Sequence, residues 1–220
     1  MFWVLLAKMR QSIAEILQEW HPTLSGIYLH GFHPFLRRKR SSLVGGIGIT
    51  SRRLATLEED LPGSRRLLAE AAGKVVFLGN GFSSAPIYLS SRHEKRELTS
   101  PPIIVDLFNY HLACQDYARL KAAFEQNRRQ FPQKLEWPLS NLLSITKAID
   151  AGHLTAVEYL VGSGNPPEEI RDASLVINCF GPNRYSLEEQ CQILAPGGIL
   201  HTYFGTFKRT SASYSEIEVA

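Results

Sequence analysis

A chain of 220 residues in which 44% are hydrophobic can build one sizeable α/β domain with a full core and a small appendage. No apolar run approaches the ~20 residues that span a bilayer, and the apolar opening at residues 1–7 has no basic leader before Lys8 and Arg10, so neither an integral membrane protein nor a signal peptide is expected. The net charge is only +3, but Arg37-Arg38-Lys39-Arg40, Arg52-Arg53 and Arg65-Arg66 concentrate the basic character in the N-terminal third, which fits a solvated surface or a phosphate or RNA footprint.

Cys114, Cys179 and Cys191 are odd in number and none has a close ligand-spaced partner. That points to a reducing, cytoplasmic compartment, with no disulfide framework and no metal site. His30-x-x-His33, with His21 nearby, has a superficially metal-like spacing. It lacks an accompanying carboxylate or cysteine, so structural histidines are the better reading.

In chain order, Leu6, Met9, Ile13, Ile16, Leu17 and Trp20 recur at mostly three- and four-residue steps, predicting an amphipathic helix that His21-Pro22 ends. Residues 26–30 and 43–49 read as two short extended segments, a hairpin-like feature with the basic run between them. Thr50 or Ser51 is placed to cap a helix through Leu54, Leu57 and Glu58. Pro62-Gly63 breaks it, and Ser64 is placed to cap another helix reaching Gly73.

Lys74-Val75-Val76-Phe77-Leu78-Gly79-Asn80-Gly81 is an apolar run of strand length that ends in two glycines. It reads as a buried parallel strand ending either in a simple turn or in a cradle where backbone can approach a ligand. Ser83 or Ser84 and Pro86 then open a helix, giving the order of strand, glycine turn and helix N-terminus that binds phosphate or carboxylate. Residues 90–100 are highly charged and expected to be exposed. Ile103-Ile104-Val105-Asp106 is a second buried strand with an acid at its end, placed either to hold ribose hydroxyls or to cap the next helix.

Residues 110–129 and 139–151 are helical in pattern, the second stopping at Gly152. Residues 154–161 give a third strand, and 173–179 a fourth. A helix over 185–194, a stop at Ala195-Pro196-Gly197-Gly198 and a fifth strand over 199–204 complete the alternation. Strands alternating with helices predict a mostly parallel α/β sheet covered on both faces. The division expected is an N-terminal helix, hairpin and helical lid over residues 1–72, integrated with or appended to a ligand-binding domain over 73–220.

From Lys74 to Phe204 this order resembles a class I, Rossmann-like S-adenosylmethionine-dependent methyltransferase. The residues that carry the resemblance are Asp172-Ala173-Ser174-Leu175-Val176-Ile177-Asn178 and Ile193-Leu194-Ala195-Pro196-Gly197-Gly198-Ile199-Leu200, together with the glycine loop and Asp106. The resemblance implies a doubly wound, mostly parallel sheet and S-adenosyl-L-methionine as cofactor. It implies that Gly79, Asn80 and Gly81 approach the methionine portion and Asp106 the ribose, with Leu107 beside the adenine. Ser163 and Gly164 would reach the adenine edge, and Asn178, Cys179 and Phe180 would line the site near the methyl donor.

The chain departs from that family at Phe77, where many members carry an acid, and at Ser83, where a third glycine is common. After Phe204 the short tail is expected to supply one more strand and not the family's usual ending. Asn165-Pro166-Pro167 resembles a motif of amino-group methyltransferases, but Glu168 replaces its aromatic, and the motif would fall into place only if residues 174–179 were the fifth strand. Under that alternative a nucleic-acid or amide substrate becomes credible.

No catalytic base is identified; Tyr28, His30, Tyr110, His111, Tyr185 and His201 are candidates by type alone. The expected activity is methyl transfer to a small-molecule acceptor, without a membrane partner. The alternatives are a non-catalytic methyltransferase-like binding module, an RNA-directed enzyme using the basic third, and an NAD-binding oxidoreductase, against which the missing full glycine fingerprint counts.

Overall fold

The computed structural model describes residues 58, 61–80, 84–106, 109–115, 136–159, 165–178, 187–202, 205–210 and 213–217. The expected N-terminal helix, hairpin and basic runs at 37–40 and 52–53 lie outside them. The described elements are α1 (Ser64–Glu70), β1 (Val75–Leu78), α2 (Ala85–Glu94), β2 (Ile103–Asp106), α3 (Tyr110–Gln115) and α4 (Glu136–Asp150). They continue with β3 (Thr155–Glu158), a short 3-10 turn (Glu168–Ile170), β4 (Ala173–Asn178), α5 (Leu187–Cys191), β5 (Leu194–Thr202), β6 (Gly205–Arg209) and β7 (Tyr214–Ile217).

The strands form one seven-stranded sheet in the order β3-β2-β1-β4-β5-β6-β7. The first five run parallel, and β6 and β7 add antiparallel pairings at the C-terminal edge. The tail therefore supplies two strands where one was expected. Among the described helices none is long and apolar enough to cross a membrane.

The central strands β1, β2 and β4 are largely apolar because both faces are covered there. Strand alternation puts Val76, Leu78, Ile103, Val105, Val176 and Leu200 on one face, packed with Ile170, Cys191 and Ile193. The opposite face carries Phe77, Ile104 and Ile177 in register, all fully buried. Each such side chain removed from water contributes about 1.5–3 kcal/mol. Tyr110 of α3 reaches Asp106 on this second face, and α3 and α2 both pack against α4. Among the described side chains of α4, Leu142, Ile145 and Thr146 are buried, at the helical spacing its sequence dictates.

Gly152 ends α4 as the pattern predicts. It is left-handed with φ of 73°, and its N–H bonds to the Ile149 carbonyl while that of His153 bonds to the Ala148 carbonyl. Those two bonds make a Schellman motif.

Three local expectations are corrected. Ser64 does not cap α1: Gly63 holds the cap position, and the Glu58 carboxylate accepts from the backbone N–H groups of Gly63 and Arg65 at 2.8 and 2.6 Å. The charged stretch after residue 90 is not uniformly exposed. Ser90 and Leu98 are buried, and Arg92 donates to the Leu68 and Ala71 carbonyls at 2.7 and 3.3 Å, satisfying the C-terminal end of α1.

The third correction concerns β5, which begins at Leu194 and runs through the residues expected to stop the helix. From Ala173↔Leu194 to Leu175↔Ile199, β4 advances two residues and β5 five, so Pro196-Gly197-Gly198 is an irregularity inside a pairing strand. Gly197, with φ of 82°, makes the reversal that lets the strand resume. The helix before it, α5, correspondingly ends at Cys191, short of the expected end at Leu194.

Candidate functional site

Sheet order reverses at β1: β2 and β3 lie to one side of it, β4 and β5 to the other. In parallel α/β sheets the crevice beyond the carboxyl ends of the strands, at such a reversal, is where ligands bind. Gly79 sits at that point. Its N–H extends the ladder one step past β1 by donating to the Val105 carbonyl at 2.9 Å, and its φ of 60° then turns the chain. Glycine takes this left-handed conformation without the strain that most side chains would add.

Asn80 follows, with a buried side chain. Its Nδ2 donates to the Tyr110 hydroxyl at 3.5 Å, and that hydroxyl donates to Asp106 Oδ2 at 3.4 Å. Both contacts are long by hydrogen-bond standards, so they orient more than they bind. The link between β1 and β2 through Tyr110 was absent from the site expected from sequence. Its signal was present as Asp106-x-x-x-Tyr110, a spacing that a strand end followed by a helix can close.

Asp106 is the last residue of β2 and is partly exposed. Its backbone carbonyl accepts from the N–H of Tyr159 at 3.0 Å. In register beside it stands Glu158, an exposed acid that closes β3 and that the sequence reading treated as an ordinary strand residue. The crevice on this side therefore presents carboxylate acceptors suited to hydroxyl or amino donors.

Asn178 ends β4 level with Leu78. Because Leu78 pairs with Val105, strand alternation places Asn178 on the opposite face from Asp106. It is fully buried, and its Nδ2 donates to Gln190 Oε1 of α5 at 2.8 Å. The side chain is engaged with α5, and its backbone pairs beside Leu78, one residue before the glycine turn. Gly81, Leu107, Ser163, Gly164, Cys179 and Phe180 lie outside the described residues, as do Tyr28, His30 and Tyr185.

The remaining candidates by type have other surroundings. His111 is exposed, 3.9 Å from Asp150. His201 is buried, with Nδ1 2.8 Å from Thr206 Oγ1 and Nε2 3.5 Å from the Leu61 carbonyl. Burial lowers its pKa below the usual 6.5, opposed by the Leu61 carbonyl and the Glu58 charge. It joins the entry to α1 to the sheet. Cys191 is a buried thiol whose pKa is pushed up by burial and lowered in part by Arg209, which makes it a poor nucleophile.

Asn165-Pro166-Pro167 precedes β4, with the Pro166 carbonyl accepting from Arg171 at 2.6 Å. Ala173–Asn178 pairs with β1 on one side and β5 on the other and is fourth in the described sheet. The amino-group motif therefore falls after the third strand, away from the strand end it would need. Among the described residues no three His, Cys, Asp or Glu converge as a metal site. No protein-family model matches the chain, and no curated protein matches it.

Proposed function

We propose that the chain is an S-adenosylmethionine-dependent methyltransferase of the class I, Rossmann-like kind that acts on a small-molecule acceptor. The observation that supports this most is the carboxylate of Asp106 at the end of β2, next to the left-handed turn at Gly79 where the strand order reverses. The order β3-β2-β1-β4-β5 and helices on both faces agree with a doubly wound sheet.

The donor and acceptor set fits an adenosyl group. A partly exposed carboxylate accepts from two vicinal hydroxyls, and a glycine without Cβ lets backbone come close. When bound, the cofactor supplies a methyl group activated on a sulfonium. Asp106 holds the ribose, with Tyr110 orienting its carboxylate, while Gly79 and Asn80 shape the floor of the methionine end. By the resemblance, Gly81, Leu107, Ser163, Gly164, Cys179 and Phe180 complete the cofactor side. Transfer of this kind needs alignment of donor and acceptor more than a strong base.

A non-catalytic binding module is the second reading, favoured by one observation. Phe77, standing where the family often has an acid, is fully buried against Ile104 and Ile177 and offers the crevice no polar group. Calorimetric titration of S-adenosylmethionine, S-adenosylhomocysteine and NAD into the native chain tests the proposal. Binding of both adenosyl ligands and not NAD supports it; binding of NAD alone assigns the crevice to a dinucleotide, and binding of none removes the proposal's basis.

A further inference from the structure

At the other end of the sheet two histidines meet. Nδ1 of His93 lies 3.2 Å from Nδ1 of His153, with ring centroids 5.4 Å apart and planes at 65°. Both side chains are partly buried, so solvent still reaches them. His93 belongs to the last turn of α2, about 12 Å along the helix from its first residue. His153 is held by the Schellman motif that closes α4, two residues before β3 begins. The pair therefore sits at the amino ends of the strands, remote from Gly79 and Asp106.

We propose that His93 and His153 form a binding site for an imidazole-seeking divalent metal ion, of which zinc is the test case. Two nitrogens on one tetrahedral zinc, each ~2.0–2.1 Å from it, are about 3.3 Å apart and carry ring centroids roughly 5 Å apart. The observed separations agree with both values. Each ring must present an unprotonated Nδ1. In the hydrogen-bonded pair one Nδ1 carries a proton; on metal binding that proton is held at Nε2 instead, by a change of tautomer, with no net proton release.

No third His, Cys, Asp or Glu among the described residues joins them, so the other positions fall to water. An open site of this kind binds more weakly than a closed structural one. Its effect is to clamp the end of α2 to the turn that delivers β3, replacing the hydrogen bond between the two rings with two metal–ligand bonds.

Zinc chloride titrated into the full chain tests this, with thermal unfolding and calorimetry as readouts. The expected result is one zinc per chain and, at tenfold excess over Kd, a midpoint rise of about 3–6 °C. His93→Asn and His153→Asn should each weaken binding by at least about tenfold, while His111→Asn leaves it unchanged. Ring nitrogen NMR of the native chain supplies a test independent of any variant: saturation with zinc must leave both rings protonated at Nε2. The proposal is overturned if zinc does not bind at millimolar concentration, if binding survives either paired substitution, or if the Nδ1 proton persists at saturation.

Discussion

Replacing Gly198 by alanine puts a methyl group where the β4–β5 seam has no space. A Cβ there would lie 2.6 Å from the Ala173 carbonyl oxygen, 3.0 Å from that of Ala195 and 3.2 Å from Leu194 Cδ2. The nearest two atoms are backbone, and Ala173 is fixed from both sides: its N–H donates to the Ile193 carbonyl at 3.0 Å, and the N–H of Ser174 donates to the Lys74 carbonyl at 2.9 Å. Relief requires opening the first step of β4–β5 pairing, so the cost falls in the upper range for overpacking, about 2–3 kcal/mol. In a chain of this length that lowers the thermal midpoint by about 4–12 °C. Gly197 next to it differs in kind. Its Cβ would meet nothing within 4 Å, and only its φ of 82° restricts substitution. Asparagine tolerates that conformation, so Gly197→Asn should cost less than about 1 kcal/mol. Urea unfolding of both variants decides the matter. Equal midpoints for Gly198→Ala and the native chain, or a larger loss for Gly197→Asn, would refute the placement of these glycines inside a bulged strand.

Two further outcomes follow from polar contacts around the entry to α1. Glu58→Ala removes the acceptor of two N–H groups at the start of α1 and should cost about 1–2 kcal/mol, with faster amide exchange at Gly63 and Arg65; unchanged exchange at both would contradict the capping role. For His201 the folded pKa is lowered from 6.5 chiefly by burial, so below pH 6.5 the unfolded chain takes up a proton that the folded chain resists. Stability therefore falls as pH drops through that value toward the lowered folded pKa. Urea unfolding across this range should show the slope in the native chain and lose it in His201→Gln, and identical slopes would remove His201 as its source.

The centre of the sheet was legible in the sequence for a physical reason. β1, β2 and β4 are buried on both faces, so each reads as a continuous apolar run bounded by breakers. Gly152 was legible as a helix stop because a left-handed closing residue leaves a local glycine signature. Gly79 and Asp106 were legible because both lie at strand ends, where the run breaks. What sequence did not reveal depends on partners distant in the chain. Pro196-Gly197-Gly198 has the composition of a turn, and only the pairing of Ala173 with Leu194 makes it part of β5. The carboxylate of Glu58 reaches forward to Gly63 and Arg65, while Ser64, the conventional cap residue, turns its hydroxyl to the Leu61 carbonyl at 2.6 Å. Asn178 was expected toward the methyl donor, yet which face it takes is set by register, and register gives it to Gln190. The approach of His93 to His153 was invisible for the same reason: α2 and the α4–β3 turn belong to successive crossovers, and the two histidines are 60 residues apart in the chain.

The central claim is that Asp106 holds the ribose of an adenosyl cofactor beside the glycine turn. Titrating S-adenosylhomocysteine into the native chain and into Asp106→Ala, with the fold of the variant checked by its unfolding midpoint, tests it most directly. Loss of hydrogen bonds to a charged acceptor of this kind predicts affinity weaker by about 10–150-fold in the variant. Undiminished binding by a folded Asp106→Ala, or no binding by the native chain at millimolar ligand, would contradict the account.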